Sequence, residues 1–269
     1  MKPYPTPPDG LHVVSAPPIL TLTFDRPQRR NSLTDEIVLA LIDTLEAASA
    51  DEEVRAVVLN AVGDNFCSGF DLAGRAGSGS RPRPGSISRR MPYLVNRLIP
   101  VMLEVQVPVV CAVRGWAVGL GLSLVLASDF AVAADDARLR APFTSMGITP
   151  DSGSSWLLPR LAGVARAKRM LMLGEEVSGA EAAAWGLIHR AVPVGQVDAE
   201  AVALAARLAA SATVAVGLAK TLIHRSSGRS LEAHLGDEAF AMELSSRSAD
   251  FREWAESRKE GRPPDFTGR

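Results

Sequence analysis

Cysteine and histidine are scarce in this chain, and each scarcity removes a class of protein. Only Cys67 and Cys111 occur among 269 residues, so no disulfide framework is expected. The four histidines (His12, His189, His224, His234) lie scattered without ligand spacing, and no metal site is expected. Neither sign of charge is in excess. The 29 Lys and Arg face 30 Asp and Glu, which gives no electrostatic reason to expect nucleic acid. No apolar run is long enough to span a bilayer. The first ten residues are proline-rich and lack the apolar stretch of a secretory signal. These absences lead us to expect a cytoplasmic protein that engages no membrane. What remains is globular in character: 47% hydrophobic and 22% charged, enough for a large core in one or two domains.

The apolar segments alternate with helix-like ones. Ile19 to Phe24 alternates Thr with apolar residues and reads as a strand. It ends in a basic turn, Asp25 to Asn31. Thr34-Asp35-Glu36 then opens a helix with Ile37, Leu41 and Leu45 on one face. Val54 to Leu59 reads as a buried strand, Tyr93 to Leu103 as a helix, and Pro108 to Val113 as the next buried strand. Leu122 to Leu126 continues as helix, and Phe130 to Ala133 returns as strand. Gly74 to Arg90, rich in Gly, Ser, Pro and Arg, reads as a mobile loop. From about Ser154 the pattern is all helix. Ser178 and Glu181 form a capping box. Helices follow at Val197 to Ala210, Val214 to His224 and Leu231 to Arg247, and a charged tail closes the chain. The class is α/β, with a core over 1–195 and a helical C-terminal region over 196–269.

Two glycine-bearing turns follow buried strands: Phe66-Cys67-Ser68-Gly69-Phe70-Asp71-Leu72 and Gly115-Trp116-Ala117-Val118-Gly119-Leu120-Gly121. Such turns leave backbone N–H groups pointing outwards. Two of them brought together can grip one oxygen that becomes negative during a reaction. Each turn taken singly also fits a purely structural role, because glycine commonly just permits a tight bend. The second turn is not a dinucleotide fingerprint. Its third glycine position is Leu124, and no acidic residue ends a following strand at the usual spacing.

As a pair, the turns resemble those of the enoyl-CoA hydratase/isomerase (crotonase) family. The resemblance begins at Leu22-Thr23-Phe24-Asp25-Arg26-Pro27, continues through Ala127-Ser128-Asp129, and reaches Trp185-Gly186-Leu187-Ile188. It implies a ββα superhelix whose C-terminal helices build a homotrimer or a dimer of trimers. It implies an acyl-CoA thioester as substrate, with no cofactor beyond that coenzyme A. The thioester oxygen would be held by the backbone N–H groups of Phe70 and Leu120. Ser68, Asp71 and Leu72 would line the pantetheine and adenine path. Arg26 and Arg29, with Arg30, would stand near the nucleotide, although a solvated basic turn explains them equally well.

The hole needs a base beside it. Two-glutamate hydratases of the family carry carboxylates at positions that fall here on Ser123 and Phe143. A dehalogenase branch pairs an aspartate with a histidine, and the histidine position falls on Asn96. Asp151 is the carboxylate left. Gly147 to Arg160 resembles the epoxyphenylacetyl-CoA isomerase branch, which keeps one catalytic aspartate there. Locally, Asp151 also fits an N-cap for a helix starting near Ser152. The expected function is an acyl-CoA isomerase, shifting a double bond or opening a ring epoxide, with Asp151 as acid and base. The alternatives are an enoyl-CoA hydratase and a non-catalytic CoA-ester-binding scaffold. Cys67 reads as a packing residue beside the turn.

Overall fold

The computed structural model describes residues 4–72, 83 and 85–269. Most of the loop expected over 74–90 lies outside the described residues. The hairpin of β1 (Leu11–Ala16) and β2 (Ile19–Phe24) is antiparallel, with Leu11 opposite Phe24. Thr-apolar alternation in β2 buries Leu20, Leu22 and Phe24, as a period of two requires. Thr34 then caps α1 (Asp35–Ser49), its hydroxyl accepting from Ile37 N–H, with Asp35 and Glu36 in the positive first turn. The helix returns the chain to β3 (Ala56–Ala61), which runs parallel to β2.

The same operation repeats. A short helix, α2 (Ser86–Arg90), and α3 (Val95–Glu104) lead to β4 (Val109–Val113), buried throughout and parallel to β3. After β4 the chain adds β5 (Trp116–Val118) to a second sheet, then enters α4 (Leu120–Ala127). Next, β6 (Phe130–Ala134) rejoins the first sheet and β7 (Arg138–Arg140) joins the second. The long, kinked α5 (Ser154–Met172) follows. Then come β8 (Glu176–Ser178), α6 (Gly179–Trp185) and β9 (Arg190–Val192). The larger sheet has the order β1-β2-β3-β4-β6-β9, and the smaller β5-β7-β8. A bridge between Cys67 and Ala117 lays the segment after β3 beside the small sheet too. Strand, short strand, helix is therefore the turning unit.

Four helices complete the chain: α7 (Val197–Ala209), α8 (Thr213–Ser226), α9 (Leu231–Ser245) and α10 (Ala249–Glu260). In α7, Val197, Ala201, Ala205 and Ala209 form one buried stripe at a spacing of four. Small side chains let this helix lie close against β3, β4 and β6. Arg55 ties the end of the chain to the sheet, donating to Thr213 Oγ1 at 2.8 Å, Ser211 O at 2.6 Å and Phe266 O at 2.9 Å. The expected division near residue 195 falls between β9 and α7.

Three expectations need correction. The chain after Ser154 is not all helix, since β8 and β9 each close a sheet edge. The last helix does not run to Arg247. It stops at Ser245, and the supposed tail forms α10, capped by Ser248 and ended by left-handed Gly261. The loop before Arg90 ends in helix α2. The capping box at Ser178 and Glu181 is present as expected. No single described helix is long and apolar enough to cross a membrane.

Candidate active site

The two glycine turns lie side by side because their backbones pair. Phe66 N–H donates to Arg114 O at 2.7 Å, Cys67 N–H to Trp116 O at 2.9 Å, and Val118 N–H to Cys67 O at 2.9 Å. Two glycines permit this approach. A Cβ on Gly69, where φ is 99°, would stand 2.8 Å from Val118 O and 3.6 Å from Leu120 N. A Cβ on Gly121 would stand 2.4 Å from Cys67 O. The spacing between the turns is set by what glycine lacks.

Leu120 opens α4, whose first intrahelical bond runs from Ser123 N–H to Gly119 O. The Leu120 N–H therefore sits at the positive, unsatisfied end of a helix. On the other turn, Leu33 N–H donates to Gly69 O and Asp71 N–H to Leu33 O, both at 2.8 Å. Such a parallel bridge directs the backbone groups of the middle residue, Phe70, to the opposite side. Asn31, buried and left-handed, braces the turn from behind. Its Nδ2 donates to Val62 O at 2.9 Å and Asn65 O at 2.7 Å.

These turns form one wall of a cavity of about 320 Å³. Ser68, Phe70, Leu72, Leu120 and Asp151 all line it. So do Ile87, Met91, Leu94, Phe143, Met146 and Ile148, which make it mainly apolar. Most of these wall residues escaped the sequence reading, because an isolated apolar side chain in a loop carries no signal of its own. Arg26, Arg29 and Asp71 do not line the cavity. Arg26 instead donates from Nη2 to Asp71 Oδ2 at 2.9 Å and from Nη1 to Ser32 O at 2.5 Å. The pair fastens the basic turn to the first glycine turn. Arg29 is exposed, and its carbonyl accepts from the Ser68 hydroxyl at 3.3 Å.

A larger hollow of about 690 Å³ lies between α3, α5 and α8, bordered by Asn96, Trp156 and His224. It holds none of the expected site residues; Asn96, at the position where the resemblance would put a dehalogenase histidine, borders it. Size does not decide between the two. The smaller cavity is the one that both glycine turns and the Asp151 carboxylate line.

Asp151 does not cap α5. Gly153, with φ of 76°, takes that position, and the Asp151 carbonyl accepts from Ser154 N–H at 3.0 Å and from Ser154 Oγ at 2.8 Å. The carboxyl group is thus left to the cavity, where Oδ1 accepts from Ser152 Oγ at 2.7 Å. Burial raises its pKa above the ordinary 3.8, and the Ser152 hydroxyl partly opposes that rise. Ser123 is fully buried, its hydroxyl without a partner among the described residues. Phe143, at a position where the resemblance would put a hydratase carboxylate, lines the cavity. Cys67 is buried, and burial pushes its thiol up to about 12, which suits packing rather than attack.

Two glycine turns and, among the described residues, a single carboxylate line one mainly apolar cavity. Known proteins agree on the class. The sequence profile of the family described as enoyl-CoA hydratase/isomerase matches residues 16–269. The 1,2-epoxyphenylacetyl-CoA isomerase of Escherichia coli is 36% identical over 93% of this chain and 95% of its own. The 2,3-dehydroadipyl-CoA hydratase of the same organism is 30% identical over 93% of this chain and 96% of its own. An enoyl-CoA hydratase structure from Polaromonas superposes with a TM-score of 0.88 at 32% identity, covering 95% of this chain and 99% of that one. The protein belongs to the enoyl-CoA hydratase/isomerase family and has its crotonase fold.

Proposed function

We propose that the protein is an acyl-CoA isomerase that works through an enolate, with Asp151 as the shuttle base. The observation that carries this reading is the composition of the cavity wall. Among the described residues Asp151 is the one carboxylate lining it; of the positions where the resemblance puts hydratase glutamates, Phe143 lines the cavity and Ser123 is buried outside its lining. Hydration across a double bond calls for groups that activate water and protonate carbon. A single carboxylate suits a transfer that ends with the proton returned.

For a β,γ-unsaturated thioester the steps balance. The Asp151 carboxylate takes a proton from Cα, and the electron pair moves through the thioester carbonyl onto its oxygen. The N–H groups of Phe70 and Leu120 stabilise that oxygen. The acid form of Asp151 then returns the proton to Cγ, and the double bond moves into conjugation. Ring-epoxide opening, the chemistry in the name of the E. coli relative, draws on the same hole and carboxylate. Ser68 and Leu72 border the pantetheine path. Exposed Arg29 meets the coenzyme A phosphates, and the Arg26–Asp71 pair holds the turn that presents it. Exposed Leu231, Leu235 and Phe240 of α9 support assembly as a homotrimer, or a pair of trimers, which light scattering tests.

The deciding experiment uses a β,γ-enoyl-CoA in deuterated water. Conjugation to the α,β-enoyl-CoA is the expected result, with deuterium entering at Cγ to the extent that the proton held by Asp151 exchanges with solvent before its return. Formation of a hydroxyacyl-CoA would establish the hydratase, the activity named for the second E. coli relative. Binding with neither product would leave a CoA-ester scaffold.

A further inference from the structure

Ser152 has no place in the steps above, yet its position is specific. It is a non-glycine residue with φ of 51°, in a region that L side chains seldom adopt. It is 2% exposed and lines the cavity beside Asp151. Gly153 follows, also left-handed, and the two together bend the chain into α5. The bend aims the Ser152 hydroxyl at Oδ1 of Asp151, 2.7 Å away. Among the described residues, Oδ2 has no hydrogen-bond donor.

We propose that Ser152 is a positioning residue, anchoring Oδ1 of Asp151 so that Oδ2 carries the proton in turnover. The inference rests on Asp151 being the shuttle base. A carboxylate has two equivalent oxygens, and rotation about its last bond exchanges them. A donor fixed to one of them breaks the equivalence and holds the other toward the substrate carbon. The same donor favours the ionised form, against the burial that favours the acid. Among the described residues, the elements around Asp151 supply no charged group that pairs with its carboxyl. Arg90 of α2 lines the cavity and pairs with Asp35 of α1. From α3 and α4 the cavity receives Val95 and Leu120, and from the loop before Asp151 it receives Phe143 and Ile148. Among the described residues, the Ser152 hydroxyl is the polar side-chain contact of the carboxyl group.

The test uses Ser152→Ala and Ser152→Gly. Glycine keeps the left-handed backbone without strain, so it separates loss of the hydroxyl from a change of chain path. In substrate-free protein, carbon-13 NMR of labelled aspartate follows the Asp151 carboxyl, assigned by its loss in Asp151→Asn. Its midpoint should rise by roughly one pH unit in both variants, a tenfold change in proton affinity. The acid limb of the kcat/KM profile should move with it. An unchanged carboxyl midpoint in both variants overturns the proposal. A midpoint that moves while the acid limb stays overturns the role in proton transfer. Full turnover by Asp151→Asn would then show that the fault lies with Asp151 as base, not with the anchor.

Discussion

The cavity has two walls, made by opposite means. The wall carrying Phe70 and Leu120 is backbone laced to backbone, with Cys67, Ala117, Leu120 and Gly121 buried in it. The wall carrying Asp151 is a loop. Its residues 144–149 are exposed, and the carboxyl group is held by the side chain next to it. Backbone donors do not depend on which side chains accompany them, so the Leu120 N–H serves whatever the side chain beside it. A base is a side chain, and one substitution removes it. On the proposed mechanism, the first wall would set the intermediate and the second what becomes of it.

The sharpest way to break this comparison is Asp151→Asn. The second wall keeps its shape and loses its base, so turnover should fall by roughly 10²- to 10⁴-fold, the usual worth of a general base. Binding of a CoA ester, measured by calorimetry, should be little changed. In the parent protein kcat/KM should rise with pH as the Asp151 carboxyl ionises, with a midpoint above 3.8. The stability sign runs the other way. A carboxyl raised in the folded state contributes stability below its unfolded pKa and loses it as pH rises through the folded pKa. The Asn variant should therefore melt higher than the parent at neutral pH, as a scan of Tm against pH would show. Equal turnover in parent and variant would refute the role of the second wall.

The first wall breaks through packing. Gly121→Ala would place a methyl group 2.4 Å from Cys67 O, a backbone atom that cannot swing aside. The turns would be pushed apart, at a cost of roughly 1–3 kcal/mol typical of overpacking. Thermal unfolding should show the loss, and kcat should fall because the two donors no longer converge. Gly195→Ala makes the control, since a Cβ there meets no atom within 4 Å.

The walls also differ in how far the sequence discloses them. The first was legible through the pairing of two glycine-bearing turns after buried strands, since either turn alone also fits a simple bend. Legible too were the Ser178 capping box and the Thr34 cap, which depend on residues three apart. The three-residue strands β8 and β9 are too short for a period of two to register. In α10 the buried positions include Asp250 and Ser257, so no apolar stripe marks the helix. The Asp250 carboxylate instead accepts from Thr267 N–H at 2.7 Å, a tertiary contact that local pattern cannot contain. At Asp151 the local rule pointed to an N-cap. Two successive left-handed residues moved the cap to Gly153 and released the carboxyl. The pairing of Arg26 with Asp71 spans 45 positions in the chain and is equally invisible locally.

That pair offers a smaller test of the first wall. The two side chains are 19% and 11% exposed, so the contact is largely shielded from water. Arg26→Ala removes charge-assisted bonds to Asp71 and to Ser32 O. The loss should be about 1.5–3 kcal/mol, read by urea unfolding. A double-mutant cycle with Asp71→Asn should show the two changes to be non-additive. Additive effects would mean that the pair does not brace the turn.

Arg29 gives the smallest effect and the finest distinction, because it lies three residues from Arg26 and does something different. Its side chain is exposed and enters no ion pair among the described residues, so its loss should leave stability unchanged. An exposed charge reaching a phosphate contributes roughly 0.5–1 kcal/mol, and that contribution weakens with salt. Arg29→Ala should therefore raise KM for an acyl-CoA by about two- to fivefold, with kcat unchanged. The difference from the parent should shrink as ionic strength rises. It should vanish with an acyl-pantetheine substrate, which carries no nucleotide phosphates. A KM effect that survives with acyl-pantetheine would place Arg29 in support of the glycine turn instead, acting alongside Arg26 through the Ser68 contact.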